Sequence, residues 1–279
     1  MHTSSAATRH FLRPGTPEYE RPPVIETALG IQFNHLQRFS AVHYGAFHEA
    51  IQDDFPHSED QSPLPAIIEK FPRLPESVTL DVAPYKLPRV WYMDKPDGHS
   101  FIQLQRDRIV FNWRKMESDE EDYPSYEENA RRFIEAFDKF VAFAERYELG
   151  KVEPNLCEVI YVNFLSPSTT TSAVNLLHHV LVGQSWDSTA HVLPEPEESS
   201  FNRCFVINDN LGRLFAEAST VRRGDEEAIQ LKLTARVIHD PESMESIRDT
   251  LEIAHNWVVN SFADLLDREY QENELGRIK

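Results

Sequence analysis

Amide and cationic side chains recur at alternate positions in two strand-like segments. The segments FIQLQRDRIVFNWRK (residues 101–115) and AIQLKLTARVI (residues 228–238) both alternate polar with apolar residues. Because successive side chains of a strand point to opposite faces, each segment gathers polar groups on one face. Amides and guanidinium groups gathered in this way could bind a carboxylate, a phosphate or an acidic peptide. The candidate ligand-binding residues are therefore Gln103, Gln105, Asn112, Arg114, Gln230, Lys232 and Arg236.

The same alternation has a second interpretation. A half-solvated antiparallel sheet presents polar residues to water and needs no ligand to explain them. Trp113 lies in the first segment, and Trp91 and Tyr92 lie shortly before it. Aromatic rings beside convergent polar groups are typical of ligand pockets. Aromatic residues are also ordinary core residues, so the pattern leaves both interpretations open.

Two carboxylates lie inside predicted strands, Glu26 and Glu158, at comparable places in the two halves of the chain. Such a pair could share a proton, or act as acid and base with a histidine in a hydrolase or isomerase. Carboxylates on exposed strand edges are the alternative. The segment GQSWD (residues 183–187) lacks the final glycine of a nucleophile elbow and follows a predicted helix. No catalytic residue is predicted.

Motifs for metals and nucleotides are missing from the sequence. The twelve histidines show no metal-ligand spacing, and no glycine-rich phosphate loop occurs, so we expect neither a metal nor a cofactor. Cys157 and Cys204 lie in strand-like segments without motif spacing. They are predicted to be reduced core residues of a cytoplasmic protein.

The net charge limits the classes of partner. A formal charge of −18 argues against sequence-independent binding to nucleic acid or to anionic lipid. No apolar run is long enough for a membrane helix, and the first fifteen residues lack a signal sequence. The expected partner is a small molecule or another protein, and two long helices with aromatic stripes favour a homodimer.

The elements that position these residues form a repeated pattern in an α+β fold. Residues 1–21 are predicted to be a mobile N-terminal arm. Residues 22–150 read as strand, helix, three strands and long helix, and residues 151–279 repeat that order. Each antiparallel sheet would bury one face under helices and leave the other open to water. Similar sequences in corresponding strands favour an internal duplication, and two unrelated domains of one class remain the alternative.

Four local predictions can be tested directly. A helix is predicted over residues 36–51, and the Pro-rich segment 56–88 reads as a long ordered loop with a short helix at 64–70. Ser125 and Glu128 form a capping box that begins a helix ending at Gly150. The last helix would begin at Asp240 and continue to about residue 272.

Several sequence segments together resemble those of a sporadically distributed family of bacterial proteins that has a family model and no assigned activity. They are RPPVIETALGIQF, DFP, PRVWYMDKPDG, IQLQRDRIVFNWRK followed by YPSYEE, CEVIYVNF, LKLTARV and AHNWVVNSFADL. The likeness spans residues 21 to 270 and is most specific from Gln103 to Tyr126. It implies a stand-alone cytoplasmic protein and supplies no catalytic residues. The repeated unit is also similar in outline to TBP-like and helix-grip folds and to GyrI-like ligand binders, a likeness that does not determine function.

Three functions are therefore expected. The first is a binding protein that holds a small anionic or amide-bearing ligand, or a protein segment, on a curved sheet face. The second is a hydrolase or isomerase that uses Glu26 or Glu158. The third is a partner-dependent component of a defence or toxin–antitoxin operon.

Overall fold

Nine strands and five helices account for the regular structure of the residues that the computed structural model describes. These residues are 16–72, 87–116, 123–166, 173–181, 196–223, 226–242, 244 and 246–278. The α+β class predicted from the sequence is confirmed, and so is its antiparallel strand pairing.

Seven elements occupy the chain up to residue 146. They are β1 (Val24–Phe33), α1 (Ala41–Ile51), β2 (His57–Gln61), β3 (Arg89–Met93), β4 (Ser100–Gln105), β5 (Arg108–Arg114) and α2 (Tyr126–Arg146). Strands β2 to β5 pair in antiparallel succession, with Trp91 opposite Gln103 and Gln105 opposite Arg108. This register brings polar side chains of β4 and β5 side by side.

Seven further elements complete the chain. They are β6 (Pro154–Leu165), α3 (Ala173–Val180), β7 (Ser200–Ile207), β8 (Gly212–Arg223), β9 (Glu226–Ile238), α4 (Ile247–Leu265) and α5 (Arg268–Asn273). The nine strands hydrogen-bond in the order β2-β3-β4-β5-β1-β6-β9-β8-β7.

The chain divides into two compact units. The first unit comprises residues 1–26, 159–235 and 252–279, and the second comprises residues 27–158 and 236–251. The predicted halves, 22–150 and 151–279, are each continuous in sequence, whereas the compact units are not. The difference arises because β1, β6, β9 and α4 each pass from one unit into the other.

Helices α1 and α2 cover the apolar side of the strands in the second unit. Phe140 of α2 is fully buried, with its ring centroid 5.3 Å from that of Phe33 and 5.5 Å from that of Phe47. The predicted start of α2 is confirmed, because Oγ of Ser125 accepts the backbone N–H of Glu128 at 3.3 Å.

Two predicted helix boundaries are wrong. Helix α1 begins at Ala41 and not at residue 36, because the N–H of Leu36 donates to the carbonyl oxygen of Arg106 at 3.1 Å. The carboxylate of Asp240 accepts the N–H of Glu242 at 3.0 Å and caps only a turn, and α4 begins at Ile247. At the other end Asp267 caps the separate helix α5, so the predicted single helix is interrupted.

The predicted mobile arm lies mostly outside the described residues, and the described part of it is anchored within the first unit. The Tyr19 hydroxyl donates to Oε1 of Gln271 at 2.8 Å. The N–H groups of Glu20 and Arg21 donate to the carbonyl oxygens of Gly276 and Leu275, each at 3.0 Å. Residues 19 to 21 are therefore fixed to the C-terminal segment.

The Pro-rich segment contains a strand and an extended stretch in place of the predicted short helix. Residues 57–61 form β2, which pairs with β3. Residues 62–72, here called the strap, have no helical turn. A helix at 64–70 would use the carbonyl oxygen of Leu64 for its own hydrogen bonds, and Nε2 of Gln105 binds that oxygen instead. Residues 73–86 lie outside the described residues.

Candidate functional site

The polar side of β4 and β5 is buried, which corrects the expectation of a face open to water. Every residue of β4 is buried, and so is every residue of β5 except Arg114. The buried set includes Gln103, Gln105, Arg108 and Asn112. At Gln105 and Arg108 the cover is the chain itself, because both side chains hydrogen-bond to the strap.

Five adjacent strands each contribute one polar side chain to a line beneath and beside the strap, here called the polar row. Its members are Gln105 on β4, Arg108 on β5, Gln32 on β1, Glu158 on β6 and Arg236 on β9. All five belong to the second unit. Within the row, Nη2 of Arg108 donates to Oε1 of Gln32 at 2.8 Å, and Nε of Arg236 donates to Oε2 of Glu158 at 2.6 Å.

Two glutamines of the row each bind both backbone groups of one strap residue. Nε2 of Gln105 donates to the carbonyl oxygen of Leu64, and its Oε1 accepts the N–H of Leu64, both at 2.9 Å. Gln32 binds Ile67 in the same way, at 2.9 Å to the carbonyl oxygen and 2.8 Å from the N–H. Nη2 of Arg108 donates to the carbonyl oxygen of Pro65 at 2.8 Å. The row therefore recognises the main chain of an extended segment.

Two large apolar side chains of the strap do not bury themselves against the row. Leu64 is 36% exposed and Ile68 is 71% exposed. A segment held mainly by hydrophobic burial would place such residues in contact with the core. Backbone hydrogen bonds therefore contribute to holding the strap, and any extended sequence can offer such groups at most positions.

Arg108 is a charged group buried among neutral acceptors. It is 5% exposed, and the two oxygens to which it donates belong to Gln32 and Pro65. Burial lowers its pKa, and the nearby carboxylates of Asp107 and Glu158 act in the opposite direction. Because a buried cation is costly without strong acceptors, the strap carbonyl contributes to keeping this guanidinium solvated by protein groups.

Arg236 lies between two carboxylates, one from the sheet and one from the strap. Its Nε bonds Glu158 at 2.6 Å, and its Nη1 is 3.8 Å from Oε1 of Glu69. The Glu69 side chain is only 5% exposed, although it follows the exposed Ile68. The strap therefore turns an acid inward and an isoleucine outward.

A cleft of about 430 Å³ borders the strap and the end of the row. Gln32, Asn34, His35 and Asn155 contribute polar groups to it, and strap residues 66–69 form one wall. Burial together with the positive charge of Arg106 lowers the pKa of His35, and Asp107 partly offsets this. The cleft is large enough for an amino-acid side chain next to the strap.

The structure places the other predicted site residues in three groups. Gln103 and Asn112 hydrogen-bond to each other, and Nη1 of Arg89 donates to Oε1 of Gln103 at 2.6 Å. Nε of Arg114 donates to the carbonyl oxygen of Gly98 at 3.1 Å, and the Arg114 guanidinium lies 5.6 Å from the Trp91 ring centroid.

The last two predicted residues belong to the first unit. Gln230 is half-buried on β9, and Nζ of Lys232 is 3.6 Å from the Glu217 carboxylate. The polar row thus includes Gln105 and Arg236 from the seven candidates. Whether any of the seven binds a ligand stays a prediction.

The row also contains residues that sequence reasoning missed. Gln32 stands between Ile31 and Phe33 in an otherwise apolar strand, and a lone amide at such a position was a usable signal. Arg108 begins the apolar run RIVF and carries a similar signal. No local pattern pointed to Glu69, because its role depends on residues far along the chain.

The remaining groups with potential chemistry are accounted for separately. Glu158 is engaged by Arg236, and Glu26 is half-buried on β1. Cys157 is buried, whereas Cys204 is exposed, so the prediction of two core cysteines is wrong for Cys204. Within the described ranges, no cluster of three or more His, Cys, Asp or Glu side chains could hold a metal ion, and no helix is long and apolar enough to cross a membrane.

Comparison with known proteins adds no relative. No protein-family model matches the chain, and no curated protein or solved structure matches it significantly.

Proposed function

We propose that this protein binds an extended, amide-bearing peptide segment of another protein on the polar row, where its own strap lies in the present structure. The observation that carries the proposal is the paired glutamines, each of which binds the N–H and the C=O of a single strap residue. Of the three expected functions, this is the binding protein with a protein segment as ligand.

The spacing of the clamped residues fits an extended ligand. Leu64 and Ile67 are three residues apart, and Pro63 and Pro65 flank the first of them. A polyproline II segment has three residues per turn and no internal hydrogen bonds, so residues i and i+3 present free backbone groups to the same side. Proline-containing extended segments are common ligands because little entropy is lost when they bind.

An exchange of segments conserves hydrogen bonds, whereas simple departure of the strap does not. Gln32, Gln105 and Arg108 are buried, so leaving their polar groups without partners would cost about 1–3 kcal/mol for each group. A second extended segment can supply the same N–H and C=O groups. Exchange of the strap for a peptide therefore costs less free energy than an opening that leaves the row empty.

The covalent connection of the strap sets how strongly a partner must bind. A tethered segment acts at an effective concentration in the millimolar range. A free peptide with equal contacts would therefore occupy the row of the intact protein only weakly. Vacating the row should raise the apparent affinity for the same peptide.

The direct test uses the peptide SPLPAIIEKFP, which has the strap sequence. In the 279-residue chain, residues 63–70 are replaced by glycine and serine with proline at positions 64 and 67, because proline lacks the N–H that each glutamine accepts there. Folding is checked by circular dichroism, and binding of the labelled peptide is followed by fluorescence anisotropy. We expect saturable binding that weakens at least about tenfold when Gln32→Ala and Gln105→Ala are combined. Gln52→Ala, at an exposed glutamine that follows α1, is the matched control and should leave binding unchanged.

Backbone recognition can be separated from side-chain recognition with N-methylated peptides. Methylation of the nitrogen at the Leu64 or Ile67 position removes a donor that the row uses, so binding should be lost. Methylation at the Ile68 position should be tolerated. If a folded strap-replaced protein binds none of these peptides, the proposal is refuted.

A measurement on the unmodified chain covers the case in which the replaced protein does not fold. Native-state hydrogen exchange at the Leu64 and Ile67 amides should show opening at a lower free energy than global unfolding. Exchange of these amides only with global unfolding would identify the strap as a permanent structural cover.

Other features belong to the same proposal. We infer an internal duplication with a TBP-like outline from the recurrence of a strand, a helix, several strands and a long helix along the chain. Membership of the sporadically distributed bacterial family rests on the similar segments between residues 21 and 270, of which Gln103 to Tyr126 is the most specific. A cytoplasmic location, a protein partner without nucleic acid, and a homodimer remain parts of the proposal that rest on composition and helix pattern.

A further inference from the structure

We infer that the polar row selects segments carrying a carboxylate two residues after the residue held by Gln32, and that Arg236 reads that carboxylate. This rests on the proposed function, because it names the ligand class for the same site. The ligand would be an acidic, proline-containing extended peptide, in which an acid follows the first clamped residue by five positions, as Glu69 follows Leu64.

The first support is the inverted burial at the end of the strap. Ile68 is 71% exposed while the adjacent Glu69 side chain is 5% exposed. Solvation alone would favour the opposite arrangement, because an isoleucine gains from burial and a carboxylate loses. A specific interaction must therefore draw the acid inward, and among the described residues the Arg236 guanidinium forms an ion pair with it.

The second support is the geometry of Arg236. Its guanidinium meets the carboxylate of Glu158 through Nε at 2.6 Å and faces Glu69 through Nη1 at 3.8 Å. Glu158 fixes the orientation of the guanidinium, so its other edge is directed to the place where the acid of a bound segment lies. A guanidinium presents a rigid fork of donors, which suits recognition of a carboxylate at a defined position.

The third support is that the site accepts proline at the position of Pro65, directly after the first clamped residue. Arg108 uses only the carbonyl oxygen of Pro65, so no N–H is required there. Proline lacks that N–H and fixes an extended φ, which matches the site without loss of a bond. The required features are therefore free backbone groups at the Leu64 and Ile67 positions and an acid at the Glu69 position.

The experiment compares two peptides on the folded strap-replaced protein. One is SPLPAIIEKFP, and the other carries Glu69→Gln, which keeps the shape and removes the charge. We expect the acidic peptide to bind about tenfold more tightly, because the guanidinium and the carboxylate, 3.8 Å apart, attract each other as opposite charges at a partly buried site. In the Arg236→Gln protein the difference between the peptides should disappear.

Arg222→Gln is the matched control, because it removes a guanidinium from another strand of the sheet. Arg222 lies on β8, donates to the Glu227 carboxylate at 2.8 Å and takes no part in the row. The preference for the acidic peptide should persist in this control. A preference lost equally in both variants would show a general charge effect and would overturn the role of Arg236.

The outcomes separate this inference from the proposed function. Equal affinity for the two peptides, with loss on Gln32→Ala and Gln105→Ala, would overturn the acid preference and leave backbone recognition intact. Binding of neither peptide would contradict both. If the strap-replaced protein does not fold, Glu69 is compared with Glu69→Gln within the strap of the intact chain. Glu69→Gln should then speed hydrogen exchange at the Ile67 amide in the chain that keeps Arg236, and it should not do so in a chain that also carries Arg236→Gln. Equal effects of Glu69→Gln in both chains would overturn the inference.

Discussion

Gln32 binds both backbone groups of Ile67, with Nε2 2.9 Å from the carbonyl oxygen and Oε1 2.8 Å from the amide nitrogen. The two residues are 35 positions apart in sequence. Nε2 of Gln32 also donates to Oδ1 of Asn155 at 3.0 Å, and its Oε1 also accepts from Arg108. One buried amide therefore connects the strap to three strands of the second unit.

Replacing Gln32 by alanine should loosen the strap without unfolding the chain. The substitution removes two hydrogen bonds to Ile67, each of which contributes about 1 kcal/mol, so the free energy of opening should fall by roughly 1–3 kcal/mol. It also removes the bonds to Asn155 and Arg108, which should lower the free energy of global unfolding as well. Hydrogen exchange at the Ile67 amide measures this directly. Gln230→Ala, at a half-buried glutamine in the first unit, should leave that exchange unchanged.

Replacing Phe140 by alanine tests the helix-covered core of the second unit. Phe140 is fully buried between Phe33 and Phe47, and truncating such a residue costs about 3–5 kcal/mol of unfolding free energy. Phe205→Ala is the comparison at a phenylalanine that is 36% exposed, where we expect a smaller loss of about 1–2 kcal/mol. Urea denaturation followed by circular dichroism gives both values. Similar losses for the two variants would contradict this description of the core.

The parts of the fold that depend on neighbours in sequence could be predicted. Alternation identified β4, β5 and β9, and the Ser125 cap identified the start of α2, because these signals act over a few residues. The strap could not be predicted in this way. Its conformation depends on Gln32 and Gln105, which lie 35 and 41 residues from the strap residues that they bind. For this reason the sequence of the Pro-rich segment predicts a loop with a short helix and does not predict the strap.

The candidate site was predicted for its chemistry more than for its surroundings. Gln105 and Arg236 were identified from alternation, which shows which side chains share a face. Alternation does not show what covers that face, so the burial of Gln105 and Arg108 by the strap could not be inferred. The clamping role of Gln32 required the register of β1 beside β5, which is a property of the whole sheet.

The two cysteines should differ sharply in reactivity. Cys157 is completely buried, and that burial raises the pKa of its thiol, whereas Cys204 is exposed on β7. Because the thiolate is the reactive form, Ellman's reagent should label one thiol in the native protein and two in denaturant. Cys204→Ser should abolish native labelling, and Cys157→Ser should leave it. Rapid labelling of both thiols in the native state would show that the β6 core opens readily.

Stability should fall as the pH is lowered from 7.5 to 5.5, in part because of His239. Burial lowers the pKa of His239 relative to its unfolded value of 6.5, although Asp240 acts in the opposite direction. At this imidazole the native state therefore binds fewer protons than the unfolded state as the pH falls through 6.5. Its contribution is fully present above that pH and is lost as the pH falls through the lower folded pKa.

Urea midpoints measured across this pH range should rise with pH, and the rise should be smaller in His239→Gln. That variant keeps a polar group near the Thr250 hydroxyl, which lies 2.8 Å from Nδ1 of His239. His57→Gln, at an exposed histidine on β2, is the matched control and should reproduce the slope of the unmodified protein. The pKa of His35 is lowered as well, so the rise of the urea midpoint with pH should be smaller still in the double variant His35→Gln and His239→Gln. An unchanged slope in the double variant would show that neither imidazole is held neutral by folding.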